Sequence, residues 1–263
     1  MSDLTPLDKA HAAMEAAPED DAARLRFYER LADAELFLLL EKEPENERIT
    51  PEIFETSDAS FVLVFDTEDR LAQFVGRVAP YAGLSGRVIA NMLAGQGIGL
   101  AVNPEVAPSS ILIPNEALGW LADTLDHAPD EVEAKVESFE PPAGLPEVLI
   151  TALDAKLSTA GGLAKMAYLV GTTYESGSRS HMLGFVDVVP GADGALAKAV
   201  NEALTFSGIE AGALDVGFFA ASDSVAAQLA RVGLRFDLPE PPKAEDHVPV
   251  TPGSDPDKPP ILR

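Results

Sequence analysis

Covalent catalysis needs a nucleophile in a defined setting, and this chain of 263 residues offers few candidates. It contains no cysteine, so disulfides, thiolate nucleophiles and cysteine-based metal sites are excluded. Ser85 stands in GLSGR, which resembles the Gly-x-Ser-x-Gly nucleophile elbow, but that motif requires a glycine where Arg87 stands and a strand before the serine. We therefore predict a turn before a helix, with Ser85 available as the helix cap.

A glycine-rich segment, AGQGIGLAVN (94–103), has the composition of a phosphate-binding loop. Such loops follow a strand and lead into a helix whose N-terminus binds the anion, whereas here a predicted helix ends and a predicted strand begins. The pattern predicts a structural role, with Gly95 or Gly97 ending the helix and Gly99 lying in the strand. No cofactor is predicted.

Histidines and carboxylates could hold a metal ion or transfer protons. The histidines lack metal-ligand spacing, so no metal site is predicted. They are His11, His127, His181 and His247. Asp66, Glu68 and Asp69 follow an apolar run, where acids stabilise the N-terminus of the next helix. Asp187 and Asp215 lie inside apolar runs, and we expect both at exposed or edge positions because an unpaired buried charge is costly.

Three side chains are candidates for a contact surface, because Trp, Tyr and Arg are enriched at protein interfaces. Tyr81 and Arg87 flank the polar connector YAGLSGR, where exposure is expected. Trp120 is the single tryptophan, and core packing is the expected role for so large a ring. Tyr81, Arg87 and Trp120 are the residues assigned to the candidate interaction surface, and no catalytic residue is predicted.

The net charge restricts the partners. Asp and Glu number 43 against 19 Lys and Arg, which gives a net charge of -24 and a pI near 4.3. So acidic a surface repels phosphate backbones and anionic lipids, which argues against nucleic-acid and membrane-surface binding. The longest apolar run, 36–40, is far shorter than the roughly 20 residues of a membrane helix. The acidic N-terminus lacks a signal-peptide pattern, so we predict a cytoplasmic location.

Helices and strands alternate along the first half of the chain. Apolar residues recur at helical spacing after Pro18, and the continuous apolar run that follows is typical of a strand covered on both faces. The predicted order is a helix over 18–34, strands over 35–41 and 61–65, helices over 68–76 and 86–95, strands over 98–102 and 110–114, and a helix opened by Pro114.

The second half follows a stretch rich in Glu, Pro and Gly. Within it, VEAKVESF (132–139) alternates apolar and charged residues, which predicts an exposed edge strand. A free edge could pair with a second copy, so a homodimer stays open. The predicted order is then a helix over 146–158, a hairpin of strands 167–174 and 182–189, a helix over 192–206, a strand over 214–219, a helix capped by Ser222 or Asp223 and ended by Gly233, and a strand over 234–238.

These patterns predict an α+β fold with two mixed α/β domains, each a sheet packed with helices. The predicted boundaries are 1–127 for the first domain and 128–238 for the second, with a linker or edge strand at 128–145. Residues 239–263 are rich in proline and poor in apolar side chains, which predicts a flexible tail.

The chain resembles the SseB (enhanced serine sensitivity) family of bacterial proteins over nearly all of 18–238. The first half carries RFYERLADAELFLLLE, FVLVFDTEDRLAQFVG and SSILIPNEALGWLADTL, and the second carries VESFEPPAGLPEVLITALDAKL, MAYLVG and LDVGFF. The resemblance implies the family's layout of an N-terminal and a C-terminal domain. It supplies no catalytic or ligand residues, and the family name records a physiological effect.

The sequence therefore favours a cytoplasmic, non-enzymatic protein-interaction or regulatory module with an unidentified protein partner. One alternative is a module that senses an amino acid linked to serine metabolism, as the family name suggests. A zwitterion would need groups such as Asp187, Asp215 and Arg87. A weaker alternative is an enzyme that uses carboxylates, which requires a concave site with two acids of shifted pKa.

Overall fold

The computed structural model describes residues 4–44, 48–127, 135–208 and 214–240. The elements of its first half are α1 (Pro6–Ala16), α2 (Asp21–Asp33), β1 (Glu35–Leu39), β2 (Ile53–Glu55), β3 (Ser60–Phe65), α3 (Glu68–Val75), β4 (Tyr81–Ser85), α4 (Gly86–Leu93), β5 (Ile98–Val102), β6 (Ile111–Ile113) and α5 (Asn115–Asp126). Those of its second half are β7 (Val136–Glu140), α6 (Glu147–Thr159), β8 (Met166–Tyr174), β9 (Arg179–Val186), α7 (Asp193–Phe206), β10 (Leu214–Phe219), α8 (Ser224–Val232) and β11 (Leu234–Asp237).

The first sheet has the strand order β4-β1-β3-β5-β6, and β2 pairs with β3 beyond the end of β1. The β3–β5 pair is parallel and the other pairs are antiparallel. One face of the sheet is covered by α2, α4 and α5, whose apolar side chains form a core with Leu36, Val64 and Leu100. The opposite face packs against α3, which is a helix of two turns.

The second sheet has the order β10-β9-β8-β11, with β7 also paired to β8. The strands β9 and β10 are parallel, and β8 and β9 form the predicted antiparallel hairpin. Helices α6 and α7 pack on one face and α8 packs on the other. Both halves are therefore sheets with helices on both faces, and the predicted α+β class is confirmed. The domain boundaries stay a prediction.

Helix α7 joins the two halves. Its last residue, Phe206, is fully buried in the core of the first sheet and not in that of the second. Just beyond it, Gly208 has a φ of +69°, and a Cβ there would lie 2.7 Å from the Cβ of Ala22 on α2. The C-terminus of α7 thus approaches α2 closely enough to require glycine.

Several predicted elements need correction. A helix precedes the predicted one: α1 begins at Pro6, and Thr5 and Asp8 form its capping box. The connector YAGLSGR holds the strand β4, because its backbone pairs with β1 at the edge of the sheet. Ser85 ends that strand and occupies the N-cap position of α4 without a side-chain cap bond.

Two further differences concern strand limits. The short strand β2 pairs with β3 and was not predicted. The strand β9 ends at Val186 and not at residue 189, because Asp187 takes a φ of +54°, which breaks the extended backbone.

The remaining predicted elements correspond to observed ones. Asp223 is the N-cap of α8 and Gly233 follows its last residue, as predicted. The edge-strand prediction over 132–139 is met from Val136 onward by β7, and 128–134 lie outside the described residues. The predicted tail lies outside them from residue 241. No helix in the part of the chain that the structure describes is long and apolar enough to cross a membrane.

Candidate functional site

The face of the first sheet that packs against α3 is only partly covered. Cross-strand partners lie on the same face of a sheet, and three pairs here join a buried residue to an exposed one. The pairs are Leu39 with Tyr81, Ala101 with Leu112 and Phe61 with Phe54. Leu112 is 51% exposed and Phe54 is 49% exposed, while their partners belong to the core under α3.

Helix α3 adds a further exposed ring to this surface. The Phe74 ring lies 5.3 Å from the ring of the buried Phe65, and its outer side is exposed. We call the exposed side chains of Phe54, Phe74, Tyr81 and Leu112 the α3 face. Exposed apolar side chains that gather on one face of a soluble protein are candidates for an interaction site.

Carboxylates border the α3 face. The exposed acids on the segments around it are Glu55, Asp58, Glu68, Asp69 and Glu105, and the exposed Arg77 has the opposite charge. The Tyr81 hydroxyl donates a 2.6 Å hydrogen bond to the Glu68 carboxylate. That bond raises the pKa of Tyr81 and fixes its ring beside Phe37.

The predicted interaction residues do not form one surface. Tyr81 lies on the α3 face, whereas Arg87 and Trp120 lie at the junction of the two halves and contact successive turns of α7. Trp120 was expected in the core, but its residue is 41% exposed, because it lies on the flank of α5 that meets α2 and α7. Its ring packs edge-on against Tyr28 and Phe206.

Arg87 belongs to a charged cluster that sequence reasoning missed. Its guanidinium binds Glu202 on α7, with an Nη1–Oε1 distance of 3.1 Å, and also binds Asp33 on α2. The Lys156 ammonium on α6 lies 2.7 Å from both Asp33 and Glu202 and 3.7 Å from Glu29. These five residues connect helices of both halves through two cations and three carboxylates.

The charges in this junction cluster stabilise one another. Burial lowers the pKa of Lys156, but its attraction to Asp33 and its hydrogen bonds to Asp33 and Glu202 outweigh burial and raise that pKa above its usual value. Burial also raises the pKa of Glu29, which is the most weakly paired carboxylate of the cluster. The arrangement holds the halves together and exposes no free reactive group.

A second buried cluster lies where β3 and β5 end. Arg70 on α3 binds Asp66, with an Nη1–Oδ1 distance of 2.7 Å, and Asp8 on α1. The Ser109 hydroxyl donates a 2.6 Å hydrogen bond to Asp8 and accepts one from the Asn103 amide. This is the edge where α/β proteins often place ligands, but here α1 fills it with its own carboxylate.

Asp8 is stabilised as an anion inside this Asp8–Arg70 cluster. Burial raises the pKa of Asp8, but hydrogen bonds from Arg70, Ser109 and the Thr5 amide outweigh burial and lower that pKa from 3.8 to about 2. The capping-box residues Thr5 and Asp8 were the signal from which α1 could have been predicted, whereas no local signal pairs Asp8 with Arg70.

A shallow cleft of about 400 Å³ lies beside the Asp8–Arg70 cluster. Its charged lining consists of Arg30, Asp33, Glu35 and Asp66, and its apolar lining comes from the start of α1 and from Ala34. The Arg30 guanidinium makes no hydrogen bond or ion pair among the residues that the structure describes, although its charge acts on the neighbouring Glu29. The cleft therefore presents a cation together with an excess of carboxylates.

The other acids of interest have internal partners. Asp187 follows β9, binds the Lys165 ammonium at 2.5 Å and accepts a hydrogen bond from the Ala221 amide. Asp215 is half-buried on β10, which is an edge strand in the described part of the sheet, and it accepts a 2.6 Å bond from the Tyr174 hydroxyl. Burial and this bond raise the pKa of Tyr174. Asp187, Asp215 and Arg87 are not brought together.

The histidines are dispersed. His11 packs against Phe27, His127 contacts the Asp123 carbonyl, and His181 contacts the Ala143 carbonyl. His247 lies outside the described residues. Within the described ranges, no group of three or more His, Asp or Glu side chains is placed to hold a metal ion.

The glycine-rich segment has the geometry expected of a helix end. Gly95 and Gly97 follow α4 with φ values of +74° and +71°, and Gly99 lies in β5. A Cβ on Gly99 would lie 2.7 Å from the Phe61 ring, so this glycine makes room for a ring beneath the α3 face.

Comparison with known proteins identifies the first half. Residues 7–120 match the family model described as the SseB protein N-terminal domain. This region contains α1 through the start of α5, and with them the α3 face, the cleft and the Asp8–Arg70 cluster. Neither a curated protein nor a solved structure is similar enough to the chain to count as a match.

Proposed function

The chain belongs to the SseB family through its residues 7–120, and from this premise we propose that it is a cytoplasmic, non-enzymatic interaction or regulatory module that binds another protein on the α3 face. The observation that carries the proposal is the partial cover of that face. Among the described helices, only α3 packs over it, whereas side chains of α1, α2, α4 and α5 and the Phe206 ring of α7 join the core on the opposite face of the same sheet.

The polar groups favour binding over catalysis. The buried Arg70 and Lys156 each bind carboxylates, and Arg87 does so at the junction. Thr172 Oγ1 is the single buried side-chain polar atom without a hydrogen bond in the described part of the chain. Catalytic groups are usually held ready for a substrate, whereas these charges are committed to one another.

Capture of partners from a lysate of the source organism tests the proposal. We expect Phe54→Asp to lose partners that the wild-type protein retains, because a carboxylate in the middle of an apolar contact must be desolvated. Val148→Asp is the matched control, since Val148 on α6 is also exposed and the charge change is the same. Equal retention by the wild-type protein and both variants would contradict the proposal.

The cleft supports a second candidate function, binding of an amino acid. Arg30 could bind a carboxylate, and Glu35 could bind an ammonium group. If serine binds there, it raises the melting temperature with the logarithm of its concentration above Kd, and Arg30→Ala removes that rise. A rise that survives Arg30→Ala would exclude the cleft as its site.

A further inference from the structure

The outer edge of β10 is open in the described part of the chain. The strand pairs with β9 on one side, and no described strand pairs with it on the other. On the β9 side, the Phe219 carbonyl accepts a hydrogen bond from the Asp187 amide. Because successive residues of a strand direct their backbone groups to opposite sides, the amides and carbonyls of Val216 and Phe218 face the open edge. They can bond to one more strand.

This edge lacks the charges that usually protect an exposed strand. The sequence of β10 is LDVGFF, and its one charged side chain, Asp215, accepts a hydrogen bond from Tyr174 within the same sheet. The opposite edge is formed by β7 (VESFE) and β11 (LRFD), which carry two charges each. Natural proteins cover or charge their free edges, so we expect a further strand over β10.

One segment outside the described residues has the sequence of an edge strand. In HVPVT (247–251), Val248 and Val250 are β-branched and favour extended backbone, and Pro249 stands between them. Proline is tolerated in an edge strand where its nitrogen points away from the neighbouring strand. When Pro249 points outward, the two valines direct their amides and carbonyls to β10. Pro252 would then fall on a position that needs an amide, which ends the segment.

The same register also suits the valine side chains. Val216 and Phe218 lie on the face of β10 that packs against α6 and α7, and the Phe218 ring stacks on Phe185. Phe218 is still 37% exposed, so its outer side has room for a neighbour. Valines paired with Val216 and Phe218 lie on that apolar face. A slip of one residue would turn them to the other face and put Pro249 at a hydrogen-bonding position.

The segment can reach this edge in the required direction. One row of paired residues crosses the sheet from β11 to β10, and it consists of Asp237, Met166, Val186 and Phe219. The chain therefore leaves β11 at the end towards which β10 runs, and a strand that enters there is antiparallel to β10. Such a strand lies four strand spacings, about 19 Å, from β11. Residues 241–248 span about 26 Å when extended.

From these observations we propose that residues 247–251 add to the outer edge of β10 as an antiparallel sixth strand of the second sheet. An attached segment is present at an effective concentration on the order of millimolar, whereas two copies of the chain repel each other through their net charge of -24. The added strand covers the apolar edge, and an extended partner peptide can pair with β10 only by displacing it. This interaction is independent of the α3 face.

Two proline variants of the full-length protein test the pairing. Val250→Pro removes an amide that bonds to β10, whereas Thr251→Pro changes a position that points outward. Hydrogen exchange of the Val216 and Phe218 amides, followed by NMR, reports whether the edge is paired. We expect Val250→Pro to accelerate their exchange at least about tenfold, which corresponds to about 1.4 kcal/mol, and Thr251→Pro to leave it unchanged.

Amides elsewhere in the sheet serve as the internal control. The Val186 carbonyl accepts a hydrogen bond from the Lys165 amide, so residues of its parity on β9 face β8. The amides of Met182 and Gly184 share that parity and should exchange equally slowly in the wild-type protein and both variants. Their unchanged rates show that the sheet stays folded.

Every other outcome overturns the proposal. Exchange of Val216 and Phe218 in the wild-type protein as fast as that of unpaired amides would show that the edge is open. Slow exchange that survives Val250→Pro would mean that another group covers the edge. Fast exchange in both variants would reject the assigned register. Protection that increases with protein concentration would make a second copy of the chain the occupant.

Discussion

Replacing Arg70 by alanine is expected to lower the free energy of unfolding by about 3–5 kcal/mol at neutral pH. The substitution leaves Asp8 and Asp66 buried without their cation, and Asp8 keeps only its hydrogen bonds from Thr5 and Ser109. Urea unfolding followed by circular dichroism measures the loss. A loss below about 1 kcal/mol would contradict the structure of the cluster.

Arg24→Ala is the matched control for this prediction. Arg24 pairs with Asp21, but both side chains are at least half exposed, so the loss should stay below about 1 kcal/mol. Comparing the two variants distinguishes the stability lost by leaving buried carboxylates unpaired from the stability lost by removing any arginine side chain.

Lowering the pH should reduce the difference in the free energy of unfolding between Arg70→Ala and the wild-type protein. The pKa of Asp8 is lowered in the folded state from 3.8 to about 2, so its contribution of about 2 kcal/mol is complete above the unfolded value and is lost as the pH falls from about 4 towards 2. A protonated Asp8 no longer needs its cation. If the difference in the free energy of unfolding between the two proteins is the same at pH 7 and pH 3, the destabilisation by Arg70→Ala comes from lost packing and not from lost charge.

Replacing Phe206 by alanine is expected to cost about 3–5 kcal/mol and to loosen the contact between the two halves. Its side chain belongs to α7 but is fully buried in the core of the first sheet, where truncation leaves a cavity. The Trp120 ring lies 6.3 Å from it, so the emission of this single tryptophan should shift to longer wavelength.

Phe218→Ala is the control for Phe206→Ala. The Phe218 ring stacks on Phe185 at the edge of the second sheet and is partly exposed, so its truncation creates a smaller cavity and leaves Trp120 untouched. If Phe206→Ala leaves the Trp120 emission unchanged and lowers the free energy of unfolding no more than Phe218→Ala does, then α7 does not anchor the two halves.

Local patterns were sufficient to predict most elements. The continuous apolar runs at β1 and β3 and the capped, amphipathic α8 indicate buried strands and a helix without reference to the rest of the chain. The strand β4 was missed because its glycine and polar residues suggest a turn, and only pairing with β1 holds it extended.

The clusters could not be predicted, because their members are far apart in sequence. Asp8 and Arg70 are separated by 62 positions, and Asp33 and Lys156 by 123. Nothing in the local sequence distinguishes these residues from other surface charges. Of the predicted contact residues, Tyr81 lies on the α3 face, while Arg87 and Trp120 were chosen by residue type and lie at the junction.

Site-specific photo-cross-linking tests the central claim most directly. A photoreactive phenylalanine analogue is placed at position 54 or 112 on the α3 face, or at position 148 as the exposed control. The account predicts that positions 54 and 112 cross-link the same protein in cells of the source organism and that position 148 does not. The same cross-linked protein from all three positions, or none from 54 and 112, would contradict it.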